Sequence, residues 1–185
     1  MTMRSHWLFA IASLTALALP TARAQSAGKP ATDYTVQANK AVLRALPFND
    51  QQDFKDAQRG FIARPQTLTI TDQQGRVIWD LEQYKTYIQT DQPAPDTVNP
   101  SLWRNAQLNM QHGLYQVEEN IYQVRGYDLS NITFIKGNTG WIVFDPLVSP
   151  ETAKAAYELV SAQLGQRPVM GIVYSHSHID HYGGA

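Results

Sequence analysis

The chain has 185 residues, a formal net charge of −1, 43% hydrophobic residues and no cysteine. Dispersed, nearly balanced charge gives no electrostatic footprint for nucleic acid, and the hydrophobic content is enough for a globular core. Without thiols the fold owes nothing to disulfides, and any bound metal must use His, Asp, Glu or water.

Residues 1–24 read as an export signal. Arg4 supplies the positive charge, Trp7 to Leu19 is an apolar run, and Ala22-Arg23-Ala24 is a small-x-small cleavage site before Gln25. The run is shorter than the roughly 20 residues that span a bilayer, so a cleaved signal is expected rather than a stable membrane span. The mature protein would be periplasmic or secreted, and His6 would leave with the signal.

From Asp33, a stripe of Tyr34, Ala38, Ala41, Val42, Ala45 and Leu46 predicts a helix that Pro47 stops. Residues 49–61 predict a second short helix closed at Gly60. Residues 66–81 predict a hairpin around a polar, glycine-containing turn, and 81–88 a further helical stretch. The proline-punctuated segment 90–100 reads as a connector and as an internal boundary. Asn99 as N-cap and Pro100 at the first helical position then start a helix through Gln111, with Gly113 just past its end.

The rest of the chain reads as strands around one helix. Residues 114–126 and 131–146 each place a polar turn between β-rich arms. Ser149, Pro150 and Gly165 delimit a helix whose apolar stripe is Ala153, Ala156, Tyr157, Val160 and Leu164. "PVMGIVYS" (168–175) is an apolar run expected to form a buried strand. Strand, helix and strand over 141–175 make a βαβ unit, which implies parallel pairing and a ligand site at the carboxyl ends of the strands.

At that end stands "SHSHIDHYGGA" (175–185). In an extended segment His176, His178 and Asp180 project to one side. His181 joins them only if the chain turns, which Gly183-Gly184 would ease. Imidazole and carboxylate donors suit Zn²⁺, and also Fe or Mn. Four donors this close crowd a single tetrahedral ion. Two metals fit better, with His176 and His178 on one and Asp180 and His181 on the other, an arrangement that suits hydrolysis. A solvated histidine-rich tail or a one-metal structural clip are the alternatives. Asp145, in "VFDP", either accepts a hydrogen bond from a metal-bound imidazole or merely starts the turn at Pro146. His112, at a helix end, reads as a partner of the helix dipole, and Trp79, Trp103, Tyr122 and Trp141 as core residues.

The segment His176-Ser177-His178-Ile179-Asp180-His181 resembles the first metal motif of the metallo-β-lactamase superfamily. The strings at 46–63, "GRVIWDL", "VNPSLWRNAQLN" and 112–147 resemble one branch of it, the exported alkyl sulfatases, from about residue 33 to the end. The resemblance implies an α/β fold: an incomplete αββα metallo-β-lactamase sandwich (114–185) behind a helical and hairpin N-terminal extension (25–113). It implies zinc-dependent hydrolysis of linear alkyl sulfate esters such as dodecyl sulfate by a homodimeric parent, with two zinc ions per complete site. His176 and His178 would bind the first. Asp180 and His181 would bind the second, Asp180 also orienting the attacking water. Asp145 matches the family aspartate that closes an earlier strand near the metals, and 127–131 matches a family loop without an assigned role. In that family further ligands and the sulfate-binding side chains lie downstream, so the chain reads as an N-terminal part that is inactive alone. Two other readings stand beside this one: another hydrolase of the same fold (thioesterase, lactonase or β-lactamase), and a non-catalytic metal-binding protein.

Overall fold

The computed structural model describes residues 28–185; the expected signal and its cleavage site lie outside the described residues. Helix α1 (Asp33–Ala45) starts on Thr32, whose hydroxyl accepts the Thr35 amide. The short α2 (Gln52–Gln58) ends before Gly60, which takes a left-handed φ of 72°. Strand β1 (Phe61–Ala63) follows, then a hairpin of β2 (Thr69–Thr71) and β3 (Val77–Asp80), and one turn of helix, α3 (Glu82–Lys85). Helix α4 (Pro100–Asn109) begins with Asn99 accepting the Ser101 amide and proline at its first position.

Next come β4 (Gly113–Glu118), β5 (Ile121–Arg125), β6 (Ile132–Lys136) and β7 (Trp141–Phe144), an antiparallel meander. Helix α5 (Pro150–Leu164) has Ser149 as N-cap and Gly165 at φ 87° at its end. It leads back to β8 (Val169–Val173), which pairs parallel to β7. The main sheet has the order β1-β4-β5-β6-β7-β8. The expected hairpins, the capped helix and the βαβ crossover are therefore present, in a mixed α/β fold.

Burial alternates along the central strands, as a sheet covered on one face requires. Ile132, Phe134, Trp141 and Val143 point inward, whereas Ile142 is 39% exposed. The inward side chains meet Ala156 and Val160 of α5, and Leu68, Ile70 and Leu81 from the small hairpin complete the core. Trp141 is fully buried between Tyr122 and Phe134, both edge-on to it. Trp103 is buried as well, and Trp79 packs against the core with its indole N–H on the Gly126 carbonyl at 2.9 Å.

Several features differ from, or add to, what the sequence predicts. The stripe of α1 is not a core face: none of its residues is buried, and Tyr34 is 84% exposed. β1 has no counterpart in the sequence reading, because three residues before Arg64-Pro65 are too short for periodicity to register; pairing with β4 creates it. The helical stretch expected over 81–88 is one turn, at Glu82–Lys85. β8 is not buried: Val169, Met170, Ile172 and Val173 are all exposed, since the strand has a neighbour only on its β7 side among the described residues. His112 is 3% exposed, and burial holds its imidazole below the ordinary pKa. The ring nevertheless stays at the end of α4, with Nδ1 3.2 Å from the carbonyl of Met110, the C-cap.

Segment 90–100 is folded onto its neighbours. The Gln92 carbonyl accepts the Trp103 indole N–H at 2.9 Å and the Gln107 amide at 3.0 Å, and the Asp96 carbonyl accepts the Asn39 amide at 2.9 Å.

Candidate metal centre

The βαβ crossover delivers the site. β7 and β8 run side by side and end at Phe144 and Val173, so Asp145 and Ser175 emerge together at their carboxyl ends. The Asp145 amide closes the ladder on the Val173 carbonyl at 3.0 Å. Its carboxylate then accepts the Ser175 amide on Oδ1 and the Ser175 hydroxyl on Oδ2, each at 2.7 Å. Asp145 has a positive φ of 53°, a conformation that aspartate tolerates better than most residues.

Beyond β8 the chain bends over Ser175–Ser177, is extended at His178, and then makes a 3₁₀ turn over Ile179–His181. That turn continues through Tyr182–Gly184, as the two glycines predict, and the His181 ring centroid lies 4.0 Å from that of His176. Gly183 and Gly184 also serve close approach. A Cβ would sit 2.2 Å from the Val148 carbonyl oxygen at Gly183, and 2.1 Å from the Pro146 carbonyl oxygen at Gly184. The Gly184 amide binds the Leu147 carbonyl at 3.1 Å.

The four expected donors lie near one another as two close pairs. His176 Nε2 faces His178 Nδ1 at 3.1 Å. His181 Nε2 faces Asp180 Oδ2 at 3.3 Å. Donor atoms sharing a tetrahedral zinc at bond lengths of 2.0–2.1 Å lie about 3.3 Å apart, so each pair spans roughly one edge of such a site. Among the described residues no three His, Asp or Glu side chains converge on one ion position.

Asp145 acts on both pairs. Ser175, having given its proton to the Asp145 carboxylate, is left to accept Nδ1–H of His176 at 2.9 Å. His181 Nδ1, a buried nitrogen, lies 2.9 Å from Asp145 Oδ2 in a close but bent contact. An Nδ1–H on each ring, facing Ser175 in His176 and Asp145 in His181, would leave each Nε2 as the lone-pair atom, the form in which imidazole binds a metal. Burial alone would raise the Asp145 pKa, but the Ser175 amide and hydroxyl and the His181 ring outweigh it and hold the carboxyl below its ordinary value. An ionised Asp145 is what this arrangement needs.

Two contributors escaped the sequence reading. Ser175 directly precedes the first histidine, and only the parallel pairing of β7 and β8 reveals that its hydroxyl reaches Asp145. The loop 127–131 also reaches the site, through the Ser130 hydroxyl bonded to the Asp180 carbonyl.

Comparison with known proteins agrees with this architecture. Residues 125–185 match the metallo-beta-lactamase superfamily. The chain is 49% identical over 161 residues to a linear primary-alkylsulfatase of a Pseudomonas species, covering 87% of this chain and 24% of that protein. It is 46% identical over 170 residues to an (R)-specific secondary-alkylsulfatase, also from Pseudomonas, covering 91% of this chain and 25% of the relative. An alkyl/aryl-sulfatase of Saccharomyces cerevisiae is 45% identical over 160 residues, or 86% of this chain and 24% of its own length. Among solved structures, the stereoselective inverting sec-alkylsulfatase Pisa1 from Pseudomonas superposes with a TM-score of 0.78 at 47% identity, covering 84% of this chain and 24% of that one. The chain is thus homologous to alkylsulfatases along most of its length and carries their metallo-β-lactamase fold, and it spans about a quarter of the length of the relatives it matches.

Proposed function

We propose that this chain supplies the first half of a two-zinc site for the hydrolysis of linear alkyl sulfate esters, such as dodecyl sulfate, to alcohol and sulfate. The observation that carries the reading is the pairing of donors: His176 with His178 at 3.1 Å, and Asp180 with His181 at 3.3 Å, in a fold shared with alkylsulfatases. When bound, two such ions lower the pKa of water to roughly 7 and stabilise charge developing on the ester oxygens. The chain's own part is to hold and orient. His176 and His178 would bind one ion. Asp180 and His181 would bind the other, and the second carboxylate oxygen of Asp180 is available to orient water. Asp145 keeps the rings of His176 and His181 in the Nε2-donating form. Dodecyl sulfate as the substrate and zinc as the metal are inferred from chemistry and homology together.

Metal analysis by inductively coupled plasma, with sulfate release from dodecyl sulfate measured on the product of the entire gene, tests this. About two zinc ions per protomer and chelator-sensitive sulfate release are expected. A two-metal protein that leaves dodecyl sulfate intact but opens a thioester, lactone or β-lactam would overturn the substrate assignment.

One observation favours a second reading for residues 1–185 by themselves. Each candidate pair would offer an ion two protein donors, whereas a catalytic zinc site ordinarily has three. We therefore expect these 185 residues alone to bind metal weakly and to hydrolyse nothing. Chelator-sensitive turnover by the purified 185-residue chain would refute that. The export reading stays part of the proposal: the mature protein begins at Gln25 in the periplasm or medium, which N-terminal sequencing of the secreted product checks.

A further inference from the structure

We propose that Asp128 is a positioning residue of the metal centre, acting as a clamp that holds the loop after β5 to the loop after β7, which carries Asp145; both loops touch the segment that carries the candidate donors. Asp128 is 6% exposed and is absent from every salt bridge among the described residues. A buried carboxylate in that situation must be satisfied by hydrogen bonds, and this one is. Oδ1 accepts the Ser130 amide at 2.9 Å, an Asx turn within its own loop. Oδ2 accepts the Val148 amide at 2.8 Å and the Thr152 hydroxyl at 2.9 Å. One side chain thus joins the loop after β5, the loop after β7 and the first turn of α5.

Both of those loops touch the site. The first sends the Ser130 hydroxyl to the Asp180 carbonyl, the backbone of a metal donor. The second is the segment Asp145-Pro146-Leu147-Val148, which presents the Asp145 carboxylate and receives the Gly184 amide on the Leu147 carbonyl. That segment is strained: Asp145 and Leu147, on either side of the proline, have φ of 53° and 70° without being glycine. Such conformations persist only where the surroundings over-determine them. The Val148–Asp128 bond fixes the far end of the strained segment, while the Asp145–Val173 ladder bond fixes the near end. Asp128 touches no donor atom itself; it acts through Val148 and Ser130.

The test substitutes Asp128→Asn in the full chain, which keeps size and shape. Asparagine has one oxygen where three donors converge on two, so an amide N–H must face another N–H. Two readouts are taken. Amide hydrogen exchange on the metal-free protein is followed at Asp145, Ser175 and Gly184, with the amides of α5 beyond Ala156 as the internal reference. We expect exchange at the three loop amides to accelerate about tenfold or more while the reference changes less than twofold. Cobalt(II) titration, read from its d–d absorption, is expected to show affinity weakened about 10–100-fold, as for other outer-layer partners of metal ligands.

Unchanged loop protection, or an equal loss of protection everywhere, would overturn the clamp. If Asp128→Asn does not fold, Ser130→Ala decides the same question, because it removes only the hydroxyl on the Asp180 carbonyl. Acceleration confined to His181, Gly183 and Gly184 supports the clamp, and unaltered exchange there refutes it. The cobalt arm rests on the metal reading and the exchange arm does not. A wild-type chain that takes up no cobalt would sink the metal reading while exchange still judges Asp128.

Discussion

Gly126 ends β5 and opens the loop that carries Asp128, and its replacement by alanine separates two physical costs. Its φ is +77°, where a Cβ costs roughly 1–2 kcal/mol. The added Cβ would also lie 2.6 Å from Cβ and 3.2 Å from Cα of His112, where carbon atoms normally keep about 3.5–4.0 Å. His112 is buried and cannot rotate away, and behind it Gly113 is itself wedged, 2.5 Å from the Ala63 carbonyl oxygen on the same test. Forcing such a contact costs about 1–3 kcal/mol. Together the two terms give about 2–5 kcal/mol, or a fall in melting temperature of about 5–15 °C for a chain of this size.

Gly75 provides the control. Its φ is +78°, but a Cβ there meets nothing within 4 Å, so Gly75→Ala should show the backbone cost alone, about 1–2 kcal/mol. Gly171, with neither a positive φ nor a neighbour within 4 Å, should be neutral or stabilised by up to about 1 kcal/mol. Thermal melts followed by circular dichroism, paired with urea unfolding, rank the three variants. Gly126→Ala melting together with Gly75→Ala would refute the packing of the loop against His112. Both melting like the wild type would refute the backbone argument as well.

Asp145→Asn should weaken cobalt or zinc binding about 10–100-fold, measured by titration against a competing chelator. Because the folded carboxyl is held below its ordinary pKa, its stabilising effect is present above the unfolded pKa and lost as pH falls through the folded one. The melting curves of wild type and Asp145→Asn should therefore differ at neutral pH and converge in acid. Trp141→Ala removes a fully buried ring that touches Tyr122 and Phe134, at a cost of about 3–5 kcal/mol by urea unfolding. Lysine at Ile172, on the exposed edge strand β8, should suppress concentration-dependent association of the chain in analytical ultracentrifugation, since a charge on an open edge opposes strand addition.

Much of this architecture is legible in the sequence because local chemistry fixes it. Ser149-Pro150 and Gly165 delimit α5 to the residue, and Asn99-Pro100 starts α4, since caps and φ preferences act over a few residues. The four donors are legible because they lie within six positions. What escapes depends on partners distant in the chain. Asp128 reaches Thr152 and Val148 only once β5 and α5 are packed, and nothing in "YDLSN" says that its carboxylate is buried. The exposure of β8 escapes for a similar reason. An apolar run of strand length looks the same whether or not a neighbour covers it. Gly183-Gly184 predicts a turn, and both residues do lie in one. What the sequence does not reveal is that they must also be thin, against Val148 and Pro146 in the packed loop.

The pairing of the donors follows from where the chain changes conformation. Had His176 to His181 stayed extended, side chains would alternate, and His181 would lie on the face opposite His176, His178 and Asp180. Three donors on one side is the geometry of a single ion with an open position. The 3₁₀ turn at Ile179–His181 breaks that alternation. It brings adjacent residues 180 and 181 to a common edge 3.3 Å long and sets it beside the 3.1 Å edge of His176 and His178. Asp145, joined to the first pair through Ser175 and to the second through His181, is the group that both edges share. If the proposed two-metal site is correct, losing Asp145 should disturb both proposed ion positions at once, whereas losing Asp180 should empty one. Counting metal ions per chain in Asp145→Asn and Asp180→Asn distinguishes these outcomes, and one lost ion in each would mean that the two edges are independent.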